Sequence, residues 1–462
     1  MLTEYTLDNP SEEHLMTTCP YTRDSITPDF PVQRLLDLED DSVRCPFPAY
    51  EHLRNEHPVV WSDRLNAWMV SKYADIRDVL RDSELWSNRF ASGRNSVTGL
   101  AEKIANSTEF PSETHRQAQR RLELSKFPVL LNSDPPVHKR QRALVAMAFT
   151  PRRVKQMEPE FQRITDELID AFQDAGRADI VSDFAVPLPM TVIARILGVP
   201  HELMPTFKQW TIAFTKGVGA LDMPRDEIVD MFARVDEFYD YFTEQLAIRR
   251  AEPADDLLTD LLNARMDGEQ PLLEAEILQM LVQFLVAGNE TTTNLIASTV
   301  KTLLENPELV ADVRADPSLV GTLIEEVLRL ESPAQGIFRT ATRDTEIGGQ
   351  PIAEGEMIFL MYASGNRDGD FFPEPDEAEI DGSRGQHLAF GRGEHVCLGA
   401  NLARREAQIA ITTLLRRLDD LAFANPKENV PYLPSFALRG PTSLPVTFTR
   451  NAAAGISGTL PA

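Results

Sequence analysis

No apolar run in this chain approaches the ~20 residues that a membrane-crossing helix needs. The most apolar stretch, ILQMLVQFLVAG, carries two glutamines. The N-terminus, MLTEYTLDNPSEEH, lacks both the basic and the apolar region of a secretory signal. These absences predict a cytoplasmic protein that does not enter a membrane. Cysteine is scarce. Three among 462 residues, Cys19, Cys45 and Cys397, are too few for a disulfide framework and fit a reducing compartment. Positive charge is also scarce, with 46 Lys and Arg against 71 Asp and Glu and a net charge of -25. Nucleic acid is excluded as a main partner, because phosphate binding needs a basic face. No repeat of solenoid length is visible.

What is present is globular: 42% hydrophobic and 25% charged residues. Length alone would favour more than one domain. One segment opposes the acidic balance. HKRQRALVAMAFTPRRVK, residues 138–155, holds six Lys or Arg and no acid. It reads as a solvated helix face or as a docking patch for an acidic protein.

The chain reads as mainly α with a minor β portion drawn from both ends. Residues 1–30 are a polar arm, 31–450 carry the folded body, and 451–462 form a tail. Residues 88–133 lack clear periodicity and read as a long connection with short helical pieces. Met157, Phe161, Ile164, Leu168 and Phe172 recur at helical spacing, with Gly176 as a stop. Leu272 to about Leu304 reads as one long helix. TEIGGQPI and EGEMIFLMY read as a hairpin turning at Gly348 and Gly349.

The richest chemistry lies in FGRGEHVCLG, residues 390–399, just before a strongly helical run. A cysteine acts as ligand or nucleophile only as thiolate. A helix N-terminus, nearby cations and backbone N–H groups all favour that form. Gly391, Gly393 and Gly399 allow close approach of amides or of a flat partner. A zinc site lacks its other ligands, a dinucleotide loop fails at Val396, and a nucleophile with His395 as base lacks an orienting third group. An inert buried cysteine does not need three glycines and two polar neighbours. One thiolate on a metal whose remaining ligands belong to a cofactor fits best, and that is haem iron. The pattern Phe390-x-x-Gly393-x-x-x-Cys397-x-Gly399, with His395, resembles the haem-binding signature of the cytochrome P450 family.

That resemblance implies one large, mainly helical prism with a small β side and a long central helix over the haem. It makes Cys397 the axial ligand of haem b (iron protoporphyrin IX). Within the long helix, six consecutive polar residues, Asn289 to Asn294, interrupt apolar flanks. Locally they could mark a break, with Gly288 ending one helix and Asn289 capping another. Ala287-Gly288-x-Glu290-Thr291-Thr292 resembles the family's oxygen-activation motif, which implies Glu290 and Thr291 as the proton-delivering pair. Glu326 and Arg329 lie at i, i+3, which is usually a surface pair; here they resemble the family's E-x-x-R, a structural pair. The third member of that pair's network is missing its usual residues, Glu377 and Ala378 standing there, and Arg384 is the nearest substitute.

In SDPPVHKRQRALV, Asp134 is a good N-cap and Pro135 a good first helical residue. His138 and Arg142 follow at i, i+4 and match the family's H-x-x-x-R toward the haem propionates. Arg339, His387 and His395 occupy further family positions for the same task. The resemblance also places Phe90, Phe284, Ala287, Ile337, Phe338, Phe436 and Leu438 around the substrate, so a hydrophobic small molecule is expected. The implied activity is insertion of one oxygen atom from O2, by hydroxylation or epoxidation. Electrons would come from a separate ferredoxin or flavodoxin with its NAD(P)H reductase, attracted by residues 138–155 with Arg392 and Arg404. A monomer is expected. Peroxide-driven or non-oxygenating haem chemistry, or a haem-binding sensor, are the alternatives.

Overall fold

A computed structural model of the chain describes residues 32–93, 96–146, 149–216 and 223–451. The arm at residues 1–30 and the tail beyond Asn451 therefore lie outside the described residues. Helices dominate, as expected, and no described helix is long and apolar enough to cross a membrane.

Ten short strands complete the described structure: β1 (Val59–Ser62), β2 (Ala67–Val70), β3 (Trp86–Ser87), β4 (Arg177–Asp179), β5 (Ile337–Ala341), β6 (Thr345–Ile347), β7 (Gln350–Ile352), β8 (Met357–Leu360), β9 (Leu418–Phe423) and β10 (Pro445–Arg450). The larger sheet has the order β1-β2-β8-β5-β3, and β10 lies between β4 and β9 in a second. β6 and β7 turn at Gly348 and Gly349, whose φ values of +57° and +81° are those a tight hairpin of this hand requires. β8 is not part of that hairpin. It runs parallel to β2 and antiparallel to β5, because its four fully buried residues need cover on both faces.

The helix Glu274–Glu305 is continuous through Gly288, so the local break does not occur. Its first half packs with Phe238 and Phe242, and its second with Ile324 and Leu414. It therefore threads two core clusters, each large side chain adding about 1.5–3 kcal/mol by burial. Gly176, at φ +66°, ends the helical run that begins at Pro151.

Residues 88–133 are more regular than expected, with helices Val97–Ala105 and Ser112–Ser125. The second lacks an apolar stripe because ion pairs hold it. Arg116 and Arg120 both reach the buried Asp236, at 2.5 and 2.8 Å. Cys45 is buried, and Cys19 lies outside the described residues. Arg439 closes the chain on itself, donating to the carbonyls of Val43 and Arg44 at 2.6 and 2.9 Å.

Candidate active site

The cysteine loop is built by backbone geometry. Gly391 and Gly393 have φ of +65° and +70°. A Cβ at Gly393 would fall 2.4 Å from the Leu80 carbonyl oxygen, so only glycine fits. The Cys397 N–H donates to Phe390 O at 2.9 Å, folding the loop back on itself. The thiol then receives the N–H groups of Gly399 and Ala400 at the start of helix Ala400–Arg417. Cys397 is the free cysteine of the described residues, and it keeps accessible surface although protein surrounds it. Burial pushes its thiol up, against the pull of the two amides, Arg142 and Arg404. The expected lowering is thus reversed, because dry surroundings outweigh the donors.

Beside it lie two imidazoles and two guanidiniums. His138, on helix Val137–Ala146, stacks on His395 with ring centroids 3.8 Å apart. His138 Nδ1 and His395 Nε2 are buried without a hydrogen-bond partner among the described residues. Burial, then His138, Arg339 and Arg142, hold His395 down at about 3. Arg142 is half-buried and Arg339 is buried, supported by the Phe338 carbonyl and the Tyr362 hydroxyl. Among the described residues no carboxylate hydrogen-bonds any of the four. Such a set suits a ligand that brings its own negative charges.

Across from the loop runs the helix Glu274–Glu305, against which helix Ala400–Arg417 packs. Ala287 is exposed in the middle of this otherwise buried helix. Burial alone raises the Glu290 carboxyl. The Thr291 hydroxyl donates to Ala287 O at 2.7 Å, leaving its lone pairs to accept.

Behind the loop, Arg329 is fully buried and pairs twice with Glu326, at 2.9 and 2.8 Å. It also donates to the carbonyls of Asn366, Pro375 and Glu377. Arg384 completes the network, reaching Glu326 at 3.2 Å and the Glu377 carbonyl at 2.7 Å. Glu377 thus takes part through its backbone, which a side-chain reading of that position misses.

The family model described as Cytochrome P450 matches residues 99–438. The chain belongs to the cytochrome P450 family. It is 37% identical over 420 residues to "Cytochrome P450 107B1" of Saccharopolyspora erythraea, covering 90% of this chain and 98% of that one. It is 37% identical over 408 residues to "Nocardicin C N-oxygenase" of Nocardia uniformis, covering 87% and 95%. The solved structure of "Cytochrome P450 CYP109Q5" from Chondromyces apiculatus superposes with a TM-score of 0.77 at 36% identity, covering 90% and 98%. Enzymes of this P450 family are haem-thiolate monooxygenases, and the residues of this chain fit that cofactor. The orphaned imidazole nitrogens, the guanidiniums without a carboxylate and the glycine-lined thiol are what a dianionic porphyrin with a sulfur ligand requires.

Not every expected residue of this P450 joins the set. His387 Nε2 instead meets Glu325 at 3.1 Å, which Arg404 also holds, and its Nδ1 accepts from the Ala389 N–H. Its ring packs near Phe390. Asp134 does not cap its helix by its side chain, which accepts from Ser87 and the Asn88 N–H; the helix begins after the second proline. Arg140 turns away from the surface to pair with the buried Glu276, and Arg142 faces the thiol, so neither serves a docking face. Arg152 and Lys155 are exposed, while Met147 and Ala148 lie outside the described residues.

Phe90, Phe338 and Phe436 meet in one apolar cluster, with Phe338 4.8 Å from Phe359. Leu438 bridges to Ala334 beside it. Ile337 points to the other side of β5, and Phe284 packs with Phe149 in the helical core. Glu406, buried on helix Ala400–Arg417, escaped the sequence reading; only its charge within a helical apolar face could have marked it.

Proposed function

We propose that this P450 inserts one oxygen atom of O2 into a hydrophobic small molecule, by hydroxylation or epoxidation. Its cofactor is haem b, and a separate ferredoxin or flavodoxin with an NAD(P)H reductase supplies two electrons. Residues 31–450 act as one haem-binding unit in the cytoplasm. The observation that carries this reading is the glycine-lined Cys397 thiol beside the carboxylate-free cluster of His138, His395, Arg142 and Arg339.

Bound there, haem would supply the redox chemistry toward O2. Cys397 Sγ is its protein ligand, with Phe390 and Gly399 shaping the loop. His138, His395, Arg142 and Arg339 would take the propionates, the imidazoles as neutral donors and the guanidiniums as cations, each hydrogen bond to a carboxylate being charge-assisted. Glu290, raised by burial, holds its proton to higher pH than a surface glutamate and releases it into the site. Thr291 Oγ1, its own proton committed to Ala287 O, accepts a hydrogen bond there and orients it. The Phe90, Phe338 and Phe436 cluster excludes water on the substrate side. Helix Pro151–Phe172 packs on the helix that starts at the cysteine, so Arg152 and Lys155 lie toward that side and attract an acidic electron carrier.

The test is turnover of the haem-loaded protein with NAD(P)H, ferredoxin, reductase and a panel of terpenoids, steroids and fatty acids under isotopically labelled O2. One labelled oxygen per product is expected. Product without label, or a protein that takes up no haem, overturns the proposal.

A further inference from the structure

Strand β8 runs into a one-turn helix, Tyr362–Gly365, whose first residue carries a phenol into the core beside the cysteine loop. The ring packs in the cluster of Ile358, Leu360 and Leu388. Burial raises the Tyr362 hydroxyl above the ordinary phenol range, so it stays protonated and neutral. A polar tip at such depth needs partners, whereas an apolar ring of the same shape would need none.

Two neighbours define its setting. The Tyr362 oxygen accepts from the Arg339 guanidinium, and a Cβ at Gly391 would touch that oxygen at 3.5 Å. The hydroxyl thus lies between an arginine of the cationic cluster and the turn of the cysteine loop. Its backbone is tied to the same loop. The Tyr362 carbonyl accepts from the Asn366 N–H at 2.8 Å, and Asn366 Oδ1 accepts from the Leu388 N–H at 2.6 Å. Asn366 O in turn receives Arg329 at 2.9 Å.

Arg339 is held without being neutralised. Asp134 is the acid that faces it electrostatically, but that carboxylate is taken by the Ser87 hydroxyl and the Asn88 N–H. Arg339 donates instead to the Phe338 carbonyl at 2.7 Å and to the phenol oxygen, both uncharged. Neutral acceptors fix the direction of the planar guanidinium fork and leave its charge for another partner. A carboxylate in place of the phenol would compete with any anionic ligand for that charge.

We propose that Tyr362 is a positioning residue for the cofactor: its phenol oxygen sets the Arg339 guanidinium toward the haem propionates and keeps its charge available to them. This rests on haem being the group bound at Cys397. The long arginine side chain is then ordered when the protein folds and not when the cofactor binds, which favours retention.

The test follows transfer of haem from the loaded protein to excess apomyoglobin. Tyr362→Phe removes the oxygen and keeps the ring, and transfer should be about tenfold faster, the scale for losing a group that orients a ligand. In an Arg339→Leu background the same change should alter the rate by less than about twofold, because the residue it acts through is gone. Resonance Raman spectra of Tyr362→Phe should show shifted propionate bending modes and an unchanged iron–sulfur stretch. A transfer rate like that of the wild type, or equal acceleration with and without Arg339, overturns the assignment. So does a shifted iron–sulfur stretch with unmoved propionate modes. A wild-type protein that takes up no haem overturns the proposed function and this role with it, whereas one that holds haem and is indifferent to Tyr362→Phe overturns this role alone.

Discussion

Replacing Glu406 with glutamine should change how stability depends on pH. Glu406 is 2% exposed, its Oε1 has no partner among the described residues, and burial alone pushes its carboxyl up to about 8. In the unfolded chain the same group titrates near 4.5. Below that pH both states hold the proton and the residue adds no pH dependence. Between the two values the unfolded chain ionises while the folded protein does not, so stability falls as pH rises, and the loss is complete above about 8. Each pH unit is worth about 1.4 kcal/mol, which sets a ceiling of roughly 5 kcal/mol; local relaxation and water entry would leave about half of that. The amide of Glu406→Gln cannot ionise, and the substitution removes the loss. Urea unfolding of the haem-loaded protein, followed by circular dichroism at pH 5.5 and 8, should show the variant ahead by only about 1 kcal/mol at the lower pH. At the higher pH the variant should be more stable by about 2–5 kcal/mol. Parallel pH profiles for the two proteins would refute the reasoning.

Cys397→Ser should abolish the thiolate-type spectrum of the reduced CO complex; persistence of that spectrum would remove Cys397 as ligand. Arg384→Ala withdraws one donor from the buried Glu326 and should cost about 3 kcal/mol, read from the denaturation midpoint, whereas a surface pair would cost well under 1. Arg152→Glu with Lys155→Glu should slow reduction by an acidic ferredoxin severalfold at low salt and little at high salt; a salt-independent rate would clear this face of docking.

The cysteine loop and the central helix were legible because their chemistry is local. A thiol among glycines, and a polar centre in an apolar helix, each need explaining wherever they fold. Glu326 and Arg329 were legible as a pair, yet their burial depends on carbonyls from Asn366 to Glu377, far along the chain. Arg140 was misjudged for the same reason, since its partner Glu276 is distant in sequence. The helix Ser112–Ser125 was hidden because its apolar periodicity is replaced by arginines paired to another helix. Cys397 was expected to be acidified by its donors, but desolvation depends on what covers the loop, and the sequence does not show that.

Arg439 has a consequence for how the chain is made. It holds carbonyls 396 residues before it and supplies the countercharge of the buried Glu331. On a ribosome adding about 5–20 residues per second, Val43 waits roughly 20–80 s for that partner. A product released short of residue 439 would deprive the buried Glu331 of its hydrogen-bonded cation, though Lys301 and Arg367 still face it, and would leave the first helices untied. The arginine thereby makes completion of synthesis a condition of stability, and marks prematurely terminated copies for proteolysis before they can hold a reactive cofactor.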